Sequence, residues 1–106
     1  MEVIWRPEAD QQFSDIIDYL IIEAGEKTAE RIAEKILRVV VKLTLHPGIG
    51  KIEPVLEGMS YAYRSIVADK NYKIIYCVDQ SAIHIFSIWD CRQDPVKMRK
   101  GIAERK

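Results

Sequence analysis

Four side chains in the C-terminal half have the types and the spacing that could hold a phosphate group. Arg64, Lys73, His84 and Arg92 fall within or beside three runs rich in β-branched and aromatic residues, YAYRSIVA, NYKIIYCV and AIHIFSIWDCR. Polar breaks at 69–71 and 79–81 predict two hairpins. If each turn contains two residues, the period of two along a strand places all four side chains on one face of an antiparallel sheet.

Cations on such a face could assist RNA cleavage without a metal. In that reaction the 2′-hydroxyl attacks the adjacent phosphorus, so a base must lie near the hydroxyl and an acid near the leaving 5′ oxygen. Cations stabilise the charge that builds on the phosphoryl oxygens. The alternative is that the same cations pair with carboxylates on a solvated sheet face, for which the candidates are Asp69, Asp90 and Asp94.

Two amphipathic helices are predicted ahead of the sheet. Pro7 suits the first turn of a helix, and apolar residues then recur at spacings of three and four as far as Gly25. A second apolar stripe extends from about Lys27 to Leu45, where the segment 46–48, HPG, ends the helix. These two stripes need a cover, and the sheet supplies it.

The predicted fold class is therefore α+β. Residues 2–6 are predicted to form a short strand at the edge of the sheet, and the two helices form an antiparallel hairpin packed on its face. Residues 46–58 contain three Gly and two Pro and are predicted to form a loop. After Arg92 we expect a short C-terminal tail or a weak helix that starts at Pro95.

Length and composition predict a single folded domain over residues 1–106. The chain is 48% hydrophobic and 30% charged, which excludes a disordered protein. No apolar run approaches the roughly 20 residues of a membrane span and no signal peptide is recognisable, so we expect a cytoplasmic protein. Cys77 and Cys91 are too few and too far apart for a metal framework, and we expect neither a metal nor another cofactor.

The order of these elements resembles the RelE/ParE superfamily of bacterial type II toxins over nearly the whole chain. The sharpest matches are LxxHPGIGKIEP at the end of the second helix, YRSI, NYKIIYCV and IWDCRQDP. The resemblance implies a toxin of a toxin–antitoxin, or plasmid stabilisation, system that is restrained by a small antitoxin protein. RelE-like and YoeB-like members cut messenger RNA in the ribosomal A site, whereas ParE-like members poison DNA gyrase.

The resemblance also implies roles for individual residues. Lys73 falls where the ribonucleases have a phosphate-contacting Arg, and Arg64 and Arg92 fall at basic positions of RelE. Glu53, in GKIEP, is similar to the proposed general base in the GKPEP loop of YoeB. The family's candidate acids are not matched, because the corresponding positions carry Met98 and 94–95, Asp-Pro.

We therefore predict a ribosome-dependent, metal-independent endoribonuclease with the ribosome, messenger RNA and an antitoxin as partners. Its predicted catalytic residues are Arg92, Lys73, Arg64 and Glu53. The alternatives are a ParE-like, non-enzymatic inhibitor of DNA gyrase, or a decayed toxin that only binds its antitoxin. Charge-removing substitutions at Arg92 and Lys73 would discriminate among these hypotheses.

Overall fold

The computed structural model describes residues 1–105, which form a helix hairpin on one face of a five-stranded sheet. The elements are β1 (Glu2–Trp5), α1 (Pro7–Ala24), α2 (Glu26–Leu45), β2 (Lys51–Ile52), a short 3-10 helix (Pro54–Leu56), β3 (Arg64–Asp69), β4 (Tyr72–Val78), β5 (Ala82–Asp90) and α3 (Pro95–Ala103). The strand order is β1-β5-β4-β3-β2. All pairs are antiparallel except β1 with β5, so the predicted α+β class is confirmed and the sheet is mixed.

Local sequence signals fix the ends of the two long helices. Pro7 occupies the first helical position of α1, where a backbone N–H would have no partner. Gly25 alone separates α1 from α2 and has a φ of 90°, a conformation that other residues rarely adopt. α2 ends before His46 and Pro47, as predicted. None of the helices within residues 1–105 is long and apolar enough to cross a membrane.

The apolar stripes of α1 and α2 pack on one face of the sheet, which we call the hairpin face. This layer contains the larger of two groups of buried side chains, and its members from the helices include Ala9, Leu20, Ile32, Ile36 and Leu43. The strands contribute Tyr72, Ile74, Tyr76, Ile83 and Ile85. Each fully buried aliphatic or aromatic side chain stabilises the fold by roughly 1.5–3 kcal/mol relative to an exposed one.

The opposite side of the sheet, which we call the α3 face, carries a second apolar layer. α3 begins at Pro95, as predicted, and Asp94 caps it by accepting a hydrogen bond from the Val96 N–H at 3.0 Å. Met98 and Ile102, one turn apart on α3, are buried against the sheet. The C-terminal segment is therefore a packed helix rather than a weakly held tail.

A β-bulge in β3 moves Arg64 to the other side of the sheet from the predicted one. The turn before β4 contains two residues, as expected, but Ala68 has no partner across the ladder. This extra residue shifts the pairing by one, so Arg64 lies opposite Tyr76 rather than Cys77. Directly paired residues share a face, and Tyr76 belongs to the core under the hairpin. Arg64 therefore lies on the hairpin face.

A second bulge, at Phe86 in β5, shifts the remainder of that strand. Beyond it Lys73 lies opposite Trp89 rather than Ile88. Arg92, which follows β5, consequently lies beside Tyr72 on the hairpin face. The prediction that all four basic side chains share one face is wrong, because two bulges separate the two arginines from Lys73 and His84.

Candidate functional site

The segment GKIEP places a buried carboxylate at the edge of the α3 face. Glu53 directly follows β2 and is only 1% exposed. Its backbone N–H donates to the Tyr63 carbonyl at 2.8 Å, and its Oε2 accepts a hydrogen bond from the Val55 N–H at 2.9 Å. Because Pro54 occupies the first position of the 3-10 helix, Glu53 is the N-cap of that helix.

Lys73, at the start of β4, completes what we call the Glu53–Lys73 pair. Its Nζ donates a hydrogen bond to Oε1 of Glu53, and the Lys73 side chain is 21% exposed. Burial by itself raises the pKa of Glu53, but hydrogen bonds from Lys73, Val55 and Ser65 and the Lys73 charge outweigh it and lower the pKa. Glu53 is therefore an ionised carboxylate with both oxygens engaged, which makes it a weak base.

Arg64 holds the Gly/Pro loop from the hairpin face. Its Nη1 donates to the Gly50 carbonyl at 2.7 Å. Tyr76, directly opposite Arg64, accepts a hydrogen bond from the Gly50 N–H at 2.9 Å and donates to the Pro47 carbonyl at 2.9 Å. Arg64 thus supports the loop that delivers Glu53 to Lys73, and it does so from the other side of the sheet.

Arg92 lies at the exit of β5 and is bound by a carboxylate of the same strand. Its Nε and Nη2 donate to the two carboxylate oxygens of Asp90 at 3.0 and 2.9 Å, and these bonds lower the pKa of Asp90. The guanidinium also lies 5.9 Å from the ring centroid of Tyr72. It lines a groove of 470 Å³ together with Tyr72 and residues of α1, among them Gln12, Asp15 and Tyr19.

Of the four predicted site residues, the structure brings only Glu53 and Lys73 together. Arg64 and Arg92 are on the opposite face, and each has its own partner. Among residues 1–105 there is also no group of three His, Cys, Asp or Glu side chains able to hold a metal ion.

A second cationic group on the α3 face contains two arginines, Arg6 and Arg105, that are not among the site residues predicted from the sequence. Arg6 follows β1, and its guanidinium carbon lies 4.7 Å from the Phe86 ring centroid. Arg105 donates to the Phe86 carbonyl, which the bulge in β5 leaves free of the ladder. The position of Arg6 could have been predicted from the segment EVIWR, because strand alternation places Ile4 and Arg6 on one face.

The helix hairpin on the sheet and the order of elements match the RelE/ParE-like fold. A family model described as the ParE toxin of the type II toxin–antitoxin system parDE matches residues 3–95. The chain therefore belongs to the ParE toxin family and is the toxin of a type II toxin–antitoxin system, for which the family implies an antitoxin partner.

Solved structures share this fold at low sequence identity. The chromosomal ParDE system from P. aeruginosa has a TM-score of 0.70 and 18% identity, over 85% of this chain and 95% of that chain. The YoeB/ParE toxin from Agrobacterium tumefaciens has a TM-score of 0.60 and 21% identity, over 85% and 98%. The YoeB dimer from Staphylococcus aureus has a TM-score of 0.58 and 20% identity, over 83% and 93%. A search of curated proteins found no significant match.

Proposed function

We propose that this toxin acts by binding a protein target, DNA gyrase, and does not cut RNA. The observation that carries the proposal is the separation of the predicted catalytic residues. A phosphoryl-transfer site needs its base and its cations around one phosphate. Here Glu53 is saturated by Lys73 and by the backbone, while Arg64 and Arg92 lie on the other face.

The outer surface of α3 is the contact region we propose for gyrase. Val96 is 69% exposed, and Lys97 and Lys100 are exposed nearby on the same helix. Val96 and Lys100 also line a shallow groove of 540 Å³ with Val55 and Pro95. An apolar centre with a cationic rim is a composition suited to protein recognition.

The second candidate is ribosome-dependent cleavage of messenger RNA. It is favoured by the contact between Glu53 and Lys73, since these are the base and one of the cations that the resemblance implies. This mechanism would require Lys73 to release the carboxylate and Arg92 to leave Asp90. It would also require an acid that the chain does not supply at the matched positions.

Two parallel assays with purified toxin, freed of its antitoxin, test the choice. One follows DNA supercoiling by gyrase, and the other maps messenger RNA ends in a translating extract. We expect loss of supercoiling with intact message. New RNA ends within codons, together with unaffected gyrase, would establish the nuclease instead, and no effect in either assay would indicate a protein that only binds its antitoxin.

Charge-reversing variants locate the contact. Lys97→Glu and Lys100→Glu should each weaken gyrase inhibition by about tenfold, the equivalent of about 1.4 kcal/mol. Lys70→Glu, which changes an exposed lysine in the turn between β3 and β4, is the matched control and should inhibit like the wild type. The double variant Glu53→Gln/Lys73→Met should retain inhibition, whereas a nuclease would lose its activity.

A further inference from the structure

A small cavity lies on the α3 face, at the edge where β1 pairs with β5. It has a volume of 160 Å³, and Arg6 and His84 line it. His84 pairs with Cys77 on β4 and with Ile4 on β1, and the strand alternation brings Arg6 to the same face as Ile4. We call this space the Arg6–His84 cavity.

Two of the residues that line this cavity each have a buried side-chain nitrogen with no hydrogen-bond partner among the described residues. They are Nε of Arg6 and Nδ1 of His84. Leaving a buried polar atom without a partner costs roughly 1–3 kcal/mol, so such atoms are uncommon in folded proteins. Both belong to residues that line one cavity, which makes that cavity a candidate site for a group that can bond to both.

The surroundings fix the chemistry of His84. Its Nε2 lies 2.7 Å from Oδ2 of Asp79. The other oxygen of Asp79 accepts hydrogen bonds from the Ser81 and Ala82 N–H groups at 2.9 Å each. These bonds lower the pKa of Asp79, so the carboxylate is ionised and accepts the Nε2 proton. Nδ1 is then the free ring nitrogen, and it is a donor whenever the imidazole is protonated.

The charges and walls of the cavity favour an anion. Arg6 carries a guanidinium cation, and its N–H at Nε has no acceptor within the described part of the chain. Asp79 is engaged by His84, and burial raises the pKa of Cys77 to about 12, so this wall residue is a neutral thiol. The Phe86 and Tyr61 rings form apolar walls, and low local polarity strengthens a charge-assisted hydrogen bond.

A second cavity of 290 Å³ adjoins the first, and Arg6, Tyr61 and Phe86 line both. It adds the cation of Arg105 and the carboxylate of Glu8. Arg6 and Arg105 therefore contribute two positive charges beside the single carboxylate of Glu8, which leaves an excess of positive charge near Arg6.

We propose that the Arg6–His84 cavity binds one oxyanion group, a phosphate or a carboxylate. The anion accepts hydrogen bonds from the Arg6 Nε–H and, where Nδ1 of His84 carries a proton, from His84 as well. The volume of 160 Å³ is sufficient for a phosphate or a short carboxylate. The source is a free small anion or an acidic side chain of a partner protein, and the site does not depend on the identity of the toxin's target.

Side-chain NMR of the full-length, antitoxin-free toxin tests the proposal. Inorganic phosphate and acetate, the latter standing for an acidic side chain, are titrated separately near pH 6 while the Arg6 Nε–H and His84 ring signals are followed. We expect saturable shifts of both signals. A preference for phosphate would indicate a free anion, and a preference for acetate would indicate the acidic side chain of a partner.

Variants distinguish the site from general charge attraction. Arg6→Met should weaken binding by about tenfold to a hundredfold, and His84→Gln by about tenfold, as expected for the loss of a charge-assisted bond. Arg6→Lys keeps the charge but lacks the Nε–H, so it should bind more weakly than the wild type. Arg38→Met, an exposed arginine of α2, is the matched control and should bind normally. Shifts that never saturate, or equal affinity in Arg6→Met, would overturn the proposal.

Discussion

The Glu53–Lys73 pair and the Arg6–His84 cavity lie on the same face of the sheet, yet they differ in one physical respect. In the pair, each carboxylate oxygen of Glu53 has a donor. Arg6 and His84, which line the cavity, each retain a buried nitrogen without a hydrogen-bond partner among residues 1–105. Charged groups that satisfy one another stabilise the fold, whereas unsatisfied ones can gain free energy by binding a ligand.

The two regions are covered by different elements, which accounts for the difference in hydrogen bonding. The 3-10 helix next to Glu53 is held by α3, since Nη1 of Arg99 donates to the Val55 and Glu57 carbonyls at 2.9 and 2.8 Å. The cavity lies at the β1 edge of the sheet, where α3 ends. The region that the resemblance marks as catalytic therefore has its charges paired within the fold, and the unmarked region has the free donors.

The largest effect is expected from breaking the Glu53–Lys73 pair. Lys73→Met leaves a buried carboxylate without its cation and should lower the free energy of unfolding by about 3 kcal/mol. Urea unfolding measures it. Lys70→Met, an exposed lysine in the neighbouring turn, should change stability by less than about 0.5 kcal/mol.

Adding Glu53→Gln to Lys73→Met should recover much of that loss, because the remaining amide is neutral. If Lys73→Met proves as mild as Lys70→Met, Glu53 is not held by its cation. The carboxylate would then be free to act as a base, and the contrast between the two regions would disappear.

A somewhat smaller effect is expected from Gly50→Ala. A methyl group at this position would lie 2.5 Å from the Tyr76 hydroxyl and 2.8 Å from the Ser65 carbonyl. The loop that carries Glu53 would have to shift, at a cost of about 2 kcal/mol. Gly48→Ala is the control, since nothing lies within 4 Å of its added methyl group. Equal stability of the two variants would contradict the tight loop.

Local residues made much of this fold predictable. Pro7, Gly25 and the segment 46–48 set helix ends through backbone chemistry that acts within a few residues, and those ends agree with the structure. The bulges at Ala68 and Phe86 have no such local signature, since neither is a glycine, and they depend on packing across strands. One extra residue in a strand reverses every side chain on the far side of it from the hairpin turn, and for this reason the two arginines lie on the other face from the predicted one.

The site was less predictable than the fold for the same reason. That Glu53 meets Lys73 depends on the pairing of β2 with β3 and of β3 with β4, which no local pattern specifies. The burial of Met98 and Ile102 did have a signal in their spacing of four, but Gly101 and the polar residues around them weakened it. The roles of the four residues in cleavage stay predictions.

The pH dependence of stability gives a further, smaller contrast. The fold lowers the pKa of Glu53, so the ionised carboxylate makes its full contribution to the free energy of unfolding above the unfolded pKa of about 4.3. That contribution is lost as the pH falls through the folded pKa. Glu53→Gln cannot titrate. The stability difference between wild type and this variant should therefore shrink on acidification from pH 6 to pH 3, measured by urea unfolding at each pH. A difference that stays constant would mean that Glu53 is not a buried carboxylate.

The smallest effect is expected from Arg6→Met. The variant loses a cation–π contact with Phe86, worth about 0.5–1 kcal/mol, but it also removes a buried N–H that has no partner. The net change in the free energy of unfolding should stay below about 1 kcal/mol, well under that of Lys73→Met. Inorganic phosphate at ten times the wild-type dissociation constant should stabilise the wild type by about 1.4 kcal/mol and the variant by no more than about 0.4 kcal/mol. A loss above about 2 kcal/mol in the free energy of unfolding without phosphate would mean that Arg6 stabilises the fold. Both regions would then be structural contacts, and the contrast between them would disappear.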